Sequence, residues 1–283
     1  SAAIPQDNLP QMMTPLIGRV ADLVHLQSRL LNQAYPFVTL VGEGGIGKTR
    51  LALALAKQIE LQFTHGVWFV SLVSLIAGEN LHTQLAAAIQ RTLKFTTTGS
   101  TPLKHQLFEQ LRDKNLLLIL DNFEQIRSGG DFILDLRQAA PKVKILVTSR
   151  QRLNLYGEYV YYVAGLSVPE QAVAAGHVAT TSLMQYDGIQ LFVERAKHTI
   201  PGFQLTEQNQ AAVVRICRFV EGAPLGIKLA ATLLEQHDCR TIADTLTAGA
   251  TLLSSDLAGL PARDQRIQAV LIYSWQLLTA AEA

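Results

Sequence analysis

The sequence predicts an α/β fold in which a parallel sheet flanked by helices is followed by a small all-helical domain. Short β-rich runs alternate with helical segments as far as about residue 165, and this alternation is typical of a parallel sheet covered on both faces. After a weakly patterned stretch at 166–186 the strand signal disappears, and the apolar spacing becomes helical. Two packed domains are therefore expected.

Composition fits a globular chain without a strong electrostatic bias. Of the 283 residues, 48% are hydrophobic and 17% are charged, so the chain can bury a substantial core. The formal net charge is +1, which gives no bulk field to hold nucleic acid or an acidic membrane surface. We expect no direct nucleic-acid binding and no membrane binding by this chain, and any phosphate binding must be local.

Cysteine usage and the chain ends bear on the setting of the protein. Cys217 and Cys239 show no ligand-like spacing with the histidines and are too few for a disulfide framework, so a reducing cytoplasm fits best. No apolar run approaches the ~20 residues of a membrane span, and there is no secretory signal. The chain begins without methionine and ends abruptly at residues 281–283. We expect it to be a piece of a longer protein.

The first predicted domain covers residues 16–165, after a lead-in segment at 1–15 that contains three prolines and little periodicity. Structure is expected to begin near Leu16, and the helical stripe of Leu23, Leu26 and Leu30 follows. Thr101 and Pro102 offer an N-cap and a first-turn proline for one of the later helices. The predicted strands cover 37–41, 67–72, 116–120, 143–148 and 159–163, and the predicted helices cover 48–63, 80–93, 102–114 and 131–140.

The second predicted domain is helical and covers residues 166–250. Apolar stripes at 189–196, 213–220 and 225–233 each mark one helix. Thr206 is the candidate N-cap of the second of these helices. A further amphipathic helix at about 264–278 is followed by too little chain to bury its apolar face. Residues 251–283 are therefore predicted to be a linker and the first helix of a truncated third domain.

The strongest chemical signal is the run Gly-Glu-Gly-Gly-Ile-Gly-Lys-Thr from Gly42 to Thr49. It matches the P-loop pattern G-x-x-x-x-G-K-[ST], and it follows a predicted strand and opens a predicted helix, as that pattern requires. Glycines let successive backbone N–H groups turn towards phosphates, and the helix N-terminus adds a partial positive charge. Lys48 would reach the β- and γ-phosphates, and the Thr49 hydroxyl would bind Mg²⁺. The sheet is therefore predicted to be that of a P-loop NTPase.

A second element of the site is predicted at the end of the strand at 116–120. Asp121 follows this apolar strand and is the candidate carboxylate on the Mg²⁺ side. Asn122 occupies the next position, where a hydrolytic enzyme often carries a second carboxylate, and an amide cannot act as a base. Glu124 lies two residues further and could substitute, although a loop glutamate is commonly only solvated. Hydrolysis is expected to be slow.

A third element ends the strand at 143–148. Arg150 follows Thr148 and Ser149, and a guanidinium at a strand end suits recognition of the γ-phosphate. The alternative is an ordinary surface charge. The Asn-Lys-x-Asp sequence of guanine-specific sites is absent from the sequence, so ATP or ADP is the expected ligand.

Taken together, these segments resemble the NB-ARC branch of the STAND P-loop ATPases, in its bacterial transcriptional-regulator form, over about residues 16–282. The run at 120–124 is similar to that version of the second motif, and Arg150 matches the family's γ-phosphate sensor. Residues 16–19 resemble the opening motif, which implies adenine contacts from Ile17 and Arg19, although Val20 stands where the family usually has Glu. Residues 260–263 and 273–278 resemble the start of a winged-helix domain.

The helical half carries one more motif of this resemblance. Residues 221–227 resemble the family's Gly-x-Pro motif, which implies that Pro224 packs near the nucleotide; the alternative is a helix C-cap followed by a first-turn proline. The predicted catalytic residues are Lys48, Asp121, Glu124 and Arg150, and the predicted metal ligands are Thr49 and Asp121. The predicted nucleotide-binding residues are Ile17, Arg19, Gly42, Gly44, Gly45, Ile46, Gly47, Lys48, Thr49, Arg50 and Pro224.

The leading hypothesis is a regulatory switch that binds ATP or ADP with Mg²⁺. A helical lid would move against the sheet domain according to whether Arg150 finds a γ-phosphate. Sensor and effector domains are expected elsewhere in the same protein, with self-association that depends on nucleotide. The first alternative is a P-loop enzyme, such as a motor-type ATPase or a small-molecule kinase. The second is an interaction scaffold with a degenerate nucleotide site.

Overall fold

The computed structural model describes residues 7–96, 101–170, 179–253 and 270. These residues form two units. The first contains the chain up to Gly42 and from Lys48 to Val163, and the second contains the chain from Ala164 together with Glu43–Gly47. Most of the predicted third domain at 251–283, including the segments that resemble a winged helix, lies outside the described residues.

The first unit is built on a five-stranded sheet in which every strand pair is parallel. This confirms the predicted fold class of a parallel sheet flanked by helices and followed by a helical part. The strand order is β2-β3-β4-β1-β5. The strands are β1 (Phe37–Val41), β2 (Val67–Ser71), β3 (Leu117–Asp121), β4 (Lys144–Ser149) and β5 (Glu158–Tyr162).

Burial along the strands follows their position in the sheet. Every residue of β1 and β3 is buried, whereas β5, at an edge, contains only half-buried and exposed residues. A central parallel strand is covered on both faces and therefore consists of an apolar run, while an edge strand can carry polar residues. The short apolar runs that predict the strands reflect this double burial.

Helices cover both faces of the sheet. Three of them pack in one apolar cluster with alternate strand residues such as Leu118 and Leu120. Another contacts β1, β3 and β4, and its buried residues do not belong to that cluster, so it covers the other face. The helices of this unit are α1 (Val20–Leu31), α2 (Lys48–Ile59), α3 (Leu81–Leu93), α4 (Leu103–Leu111) and α5 (Gly130–Ala139), of which α3, α4 and α5 form the cluster and α2 covers the second face.

The N-terminal segment is already part of this unit at residue 7, earlier than the start near Leu16 that the sequence predicts. Asp7 forms an isolated parallel bridge with Val67 of the edge strand β2. The side-chain amide of Asn8 donates to the Phe69 carbonyl at 2.9 Å and accepts from the Phe69 N–H at 2.7 Å. One asparagine thus stands in for a neighbouring strand, a contact that leaves no periodic signal in the sequence.

The second unit contains helices from residue 180 onwards. In order they are α6 (Thr180–Leu183), α7 (Asp187–Thr199), α8 (Gln210–Phe219), α9 (Pro224–Thr232) and α10 (Cys239–Leu253). Helix α7 packs on α8 and α9, and α8 packs on α10. Among the described residues, no helix combines the length and apolarity needed to cross a bilayer.

Several predicted helix bounds differ from the structure by a residue or more, and two of the starts concern a predicted cap. Helix α4 begins at Leu103 with Pro102 as its N-cap, one residue later than expected. Helix α8 begins at Gln210 rather than after Thr206. The Thr206 hydroxyl still accepts from the Asn209 N–H at 3.4 Å, while the Asn209 side chain accepts from the Thr206 N–H at 2.9 Å. This reciprocal pair forms a turn that precedes the helix, so the capping signal is real and the helix starts later.

The two cysteines of the helical unit should resist thiol reagents while the protein is folded. Burial raises the pKa of the Cys217 thiol, which is fully buried, and raises the pKa of Cys239 to about 11. Because the thiolate is the reacting form, labelling at pH 8 should be at least about 100-fold slower than in guanidinium chloride. Mass spectrometry after iodoacetamide treatment measures this. Labelling of either cysteine at the unfolded rate under native conditions would contradict the described burial.

Candidate functional site

The phosphate loop predicted from the sequence lies between β1 and α2. It contains five predicted nucleotide contacts, which are Gly42, Gly44, Gly45, Ile46 and Gly47. Gly45 has φ of 74° and Gly47 has φ of 98°, a region of backbone space that residues with a Cβ rarely enter. The Ile46 side chain is 1% exposed and anchors the loop. Alternating left-handed residues of this kind expose backbone N–H groups to an anion.

The Lys48 side chain reaches back to the first residue of this loop. Its Nζ donates to the Gly42 carbonyl at 2.7 Å, and the Gly42 N–H donates to the Ser149 carbonyl at the end of β4 at 3.2 Å. The first residue of the motif is therefore fixed to the sheet. The ammonium is fixed at the first turn of α2, where the helix dipole already favours anions.

A buried carboxylate joins three elements at the carboxyl edge of the sheet. Asp121, the last residue of β3, is 6% exposed. Its Oδ1 accepts from the Thr49 hydroxyl at 2.7 Å and from the Thr148 hydroxyl of β4, also at 2.7 Å. The structure thus brings together the two predicted metal ligands, Thr49 and Asp121. Oxygen ligands of this type suit Mg²⁺.

Thr148 also fixes the residue after Asp121. Its Oγ1 accepts from the Asn122 N–H at 3.0 Å, and Asn122 has φ of 66°. Asparagine tolerates the left-handed conformation better than most residues with a Cβ. The turn that follows the carboxylate is therefore set by a hydroxyl from the neighbouring strand, a partner that sequence reasoning noted only as a polar neighbour of Arg150.

The predicted base and the predicted phosphate sensor form an ion pair with each other. Arg150 Nε lies 3.6 Å from Glu124 Oε1, with the arginine side chain 56% exposed and the glutamate side chain 19% exposed. The other carboxylate oxygen of Glu124 is buried without a hydrogen-bond partner among the described residues. The pair is possible because β3 and β4 are neighbours in the sheet.

The remaining predicted contacts on this unit lie in the segment that leads into α1. Gly18 and Arg19 are both left-handed, with φ of 67° and 70°, and Ile17 is half-buried. Arg19 pairs with Asp22 at 3.2 Å, and Asp22 also accepts from the Tyr161 hydroxyl of β5. Sequence analysis did not identify Asp22 or Tyr161, because their positions in a helix and in a strand gave no sign of this contact.

Arg50, another predicted ligand, directs its guanidinium at the lead-in segment. It donates to the Thr14 hydroxyl at 3.1 Å, to the Thr14 carbonyl at 2.8 Å and to the Pro15 carbonyl at 3.0 Å. Its described hydrogen bonds therefore hold the backbone at residues 14–15. A direct contact of Arg50 with nucleotide stays a prediction.

The loop residues that belong to the second unit contact the start of α9 within that unit. The Leu225 N–H donates to the Gly45 carbonyl at 3.2 Å, and a Cβ placed on Gly45 would lie 2.7 Å from Leu225 Cβ. A Cβ on Gly47 would lie 3.8 Å from Pro224 Cγ. The structure therefore places Pro224 beside Gly47 and Leu225 beside Gly45, two of the predicted phosphate-binding glycines.

The sheet domain matches a known family. Residues 20–155 match the profile described as the NB-ARC domain. The chain therefore contains an NB-ARC domain. This range includes the phosphate loop, Asp121 and Arg150, in agreement with the resemblance of its motifs.

Relatives of the NB-ARC chain occur in mycobacteria. A Mycobacterium tuberculosis protein provisionally named an HTH-type transcriptional regulator is 31% identical over 246 residues, which cover 87% of this chain and 25% of that protein. A second M. tuberculosis protein, uncharacterised, is 28% identical over 282 residues, or 98% of this chain and 65% of its own length. The chain thus spans about a quarter of the length of the regulator relatives.

Solved structures agree on the fold. A STAND protein with a tetratricopeptide repeat sensor from Pyrococcus horikoshii superposes with a TM-score of 0.51 at 16% identity, covering 90% of this chain and 36% of that one. Cdc6p from Pyrobaculum aerophilum gives a TM-score of 0.53 at 17% identity, covering 88% and 64%. At these identities the NB-ARC chain shares an architecture with them, and the likeness carries no further statement.

Proposed function

We propose that this chain is the ATP/ADP-binding regulatory switch module of a STAND signalling protein that regulates transcription, and that it hydrolyses ATP slowly with Mg²⁺. The observation that carries the proposal is the cluster of Thr49, Asp121 and Thr148 beside the Lys48 loop. A buried carboxylate with two hydroxyl donors and an adjacent ammonium is a chemical match for a nucleotide phosphate chain with its metal ion.

The loop residues fit a phosphate chain. Gly45 and Gly47 are left-handed, which turns backbone N–H groups to one side, and Gly45 also has no room for a side chain. Lys48 would exchange its 2.7 Å bond to the Gly42 carbonyl for contacts to β- and γ-phosphate oxygens. Ammonium–phosphate contacts are charge-assisted and stronger than a bond to a neutral carbonyl, so the exchange favours binding.

Thr49 and Asp121 fit Mg²⁺. Their oxygens already lie 2.7 Å apart, and Thr148 keeps Asp121 in place through a second hydroxyl bond. When bound with the nucleotide, Mg²⁺ would neutralise part of the phosphate charge. The role of this chain is to present a fixed carboxylate and hydroxyl, which requires no rearrangement of the strand ends.

Arg150 supplies a physical basis for telling ATP from ADP. A γ-phosphate would compete with Glu124 for its guanidinium, since the existing pair is long at 3.6 Å and the arginine is largely exposed. Exposed ion pairs contribute only about 0–1 kcal/mol, so the competitor is weak. ATP and ADP would then stabilise different partners of Arg150, which is the unequal binding that a switch requires.

Slow hydrolysis follows from the residues after Asp121. Asn122 cannot accept a proton from an attacking water, and its backbone is held by Thr148. Glu124 is the carboxylate that could do so, but one oxygen faces Arg150. The other oxygen of Glu124 is buried, so neither Asn122 nor Glu124 is placed to act as an efficient general base.

The wider role of the module rests on its relatives. The provisional name of the mycobacterial regulators, and the repeat sensor in the P. horikoshii protein's description, support sensor and effector domains elsewhere in the same protein. We propose that output involves self-association controlled by nucleotide, in the cytoplasm, with DNA contacts left to other domains. The near-neutral net charge of this chain supports the proposal that other domains contact DNA.

Exchange of Arg150 for alanine tests the switch. We expect Arg150→Ala to weaken ATP binding by about 10- to 100-fold, the worth of a charge-assisted hydrogen bond, and to leave ADP affinity within about twofold, a difference too small to matter energetically. Isothermal titration with Mg-ATP and Mg-ADP measures both. Glu124→Gln is the matched control, because it removes the competing charge and should strengthen ATP relative to ADP by up to about fivefold.

Each outcome of this test bears on the proposal. Equal loss of ATP and ADP in Arg150→Ala would refute the sensor role and leave a nucleotide site without a switch. Turnover that rises on adding a small phosphate acceptor would instead support a kinase. Wild-type protein that ignores both nucleotides would overturn the proposed function itself.

A further inference from the structure

We infer that Arg50 is a positioning residue that holds the base-binding end of the nucleotide site, rather than a ligand of the phosphates. The inference rests on the proposed nucleotide function and concerns how one part of that site is built. All of the residues that carry it lie in the first unit.

The Arg50 guanidinium points to the backbone at residues 14–15. It lies in the first turn of α2, two residues after Lys48, where a positive charge is disfavoured by the helix dipole. Three hydrogen bonds to Thr14 and Pro15 offset this, two of them to carbonyl oxygens. A planar guanidinium can hold two adjacent carbonyls and a hydroxyl at once, which an ammonium cannot do with the same geometry.

Those hydrogen bonds hold the segment that leads into α1. Residues 14–15 come immediately before Ile17, Gly18 and Arg19, and the last two both have positive φ. A non-glycine residue in this conformation persists only where its surroundings enforce it. Asp22 fixes the far end by pairing with Arg19 and by accepting from Tyr161. Arg50 fixes the near end, so the segment is clamped on both sides.

The positioning role of Arg50 can be distinguished from phosphate binding. Arg50 holds the segment that the NB-ARC resemblance predicts to contact adenine, whereas Gly42 and Lys48 hold the phosphate loop. Loss of Arg50 should release residues 14–19 and leave the phosphate loop intact. The part of the affinity that depends on the base would fall, and the part that depends on the phosphates would stay.

The experiment compares ligands with and without a base. Titration of Arg50→Ala with Mg-ATP, Mg-ADP and inorganic Mg-tripolyphosphate should show about a tenfold or greater loss for both nucleotides. The same variant should show less than about a twofold change for tripolyphosphate, well under 1.4 kcal/mol. Arg50→Lys keeps the charge but loses the planar fork, so it should resemble the alanine variant. Thr14→Val removes one of the three acceptors and should give a smaller loss of the same kind.

Controls make the outcome decisive. Arg91→Ala, an exposed arginine on α3, should bind all three ligands as wild type does. Hydrogen exchange of the backbone at residues 14–19 should accelerate in Arg50→Ala without ligand. If Arg50→Ala loses tripolyphosphate and ATP equally and Arg50→Lys restores both, Arg50 is a direct phosphate ligand and the inference is wrong. Wild-type protein that binds none of the ligands would instead refute the proposed function.

Discussion

Replacement of Lys48 by alanine is expected to lower the affinity for Mg-ATP and Mg-ADP by more than about 100-fold, which corresponds to roughly 3 kcal/mol. The ammonium is held at the loop mouth by the Gly42 carbonyl, so its position is set before any ligand arrives. Its loss removes the one cation at the start of α2 that faces the loop in the proposed complex. Equilibrium titration, together with the nucleotide content of purified protein, measures the effect.

A lysine of the same helix provides the matched control for this change. Lys57 lies in α2, is 61% exposed and pairs with Glu60 at 2.7 Å. Lys57→Ala removes the same charge from the same helix and should leave both affinities within about twofold, since exposed ion pairs contribute little. Melting temperatures of the two variants without ligand should be similar. Nucleotide binding by Lys48→Ala at the wild-type level would mean that the proposed phosphate site is wrong.

Gly222→Ala should destabilise the helical unit by about 3 kcal/mol or more, one of the larger effects expected from a single methyl group. Gly222 has φ of 67°, and an added Cβ would lie 2.1 Å from the Leu166 carbonyl oxygen and 2.9 Å from the Leu166 nitrogen. Both are backbone atoms, and the Leu166 N–H also donates to the Gly222 carbonyl at 2.9 Å. The methyl group can be accommodated only if this crossing opens. Urea unfolding followed by circular dichroism measures the loss.

Gly202 separates this clash from simple backbone strain. It belongs to the same unit and has φ of 87°, but an added Cβ there meets no atom within 4 Å. Gly202→Ala should therefore cost only the strain of a left-handed alanine, about 1 kcal/mol. If the two variants lose the same stability, the close approach of Leu166 does not limit the fold.

The fold could be predicted because buried parallel strands leave a direct signal. The apolar runs at 116–120 and 143–148 correspond to β3 and β4, which end one residue later at Asp121 and Ser149. These polar residues continue the ladder of hydrogen bonds, and an apolar pattern cannot register that. The segment before residue 16 escaped prediction because its contact with β2 consists of one isolated bridge at Asp7 and the side chain of Asn8.

The site was predictable only in part. Thr49 and Asp121 could be expected to meet, since Thr49 begins the helix that follows β1 and its loop, Asp121 ends β3, and the carboxyl ends of parallel strands lie at one edge of the sheet. The pairing of Glu124 with Arg150 could not, because it requires β3 beside β4 and strand order is not written in local sequence. Arg50 follows Thr49 directly and is among the predicted nucleotide-binding residues. Its hydrogen bonds are instead set by where residues 14–15 lie.

The two edges of the sheet limit how short a fragment of this module can be made. The NB-ARC match covers residues 20–155, yet β2 is covered at one border by Asn8 and β1 is covered on the other side by β5. Both covering elements lie outside the match. A fragment trimmed to the recognisable signature would leave two rows of backbone groups open to strand addition by other chains. The NB-ARC match is therefore shorter than the part of the chain that covers both edges of the sheet.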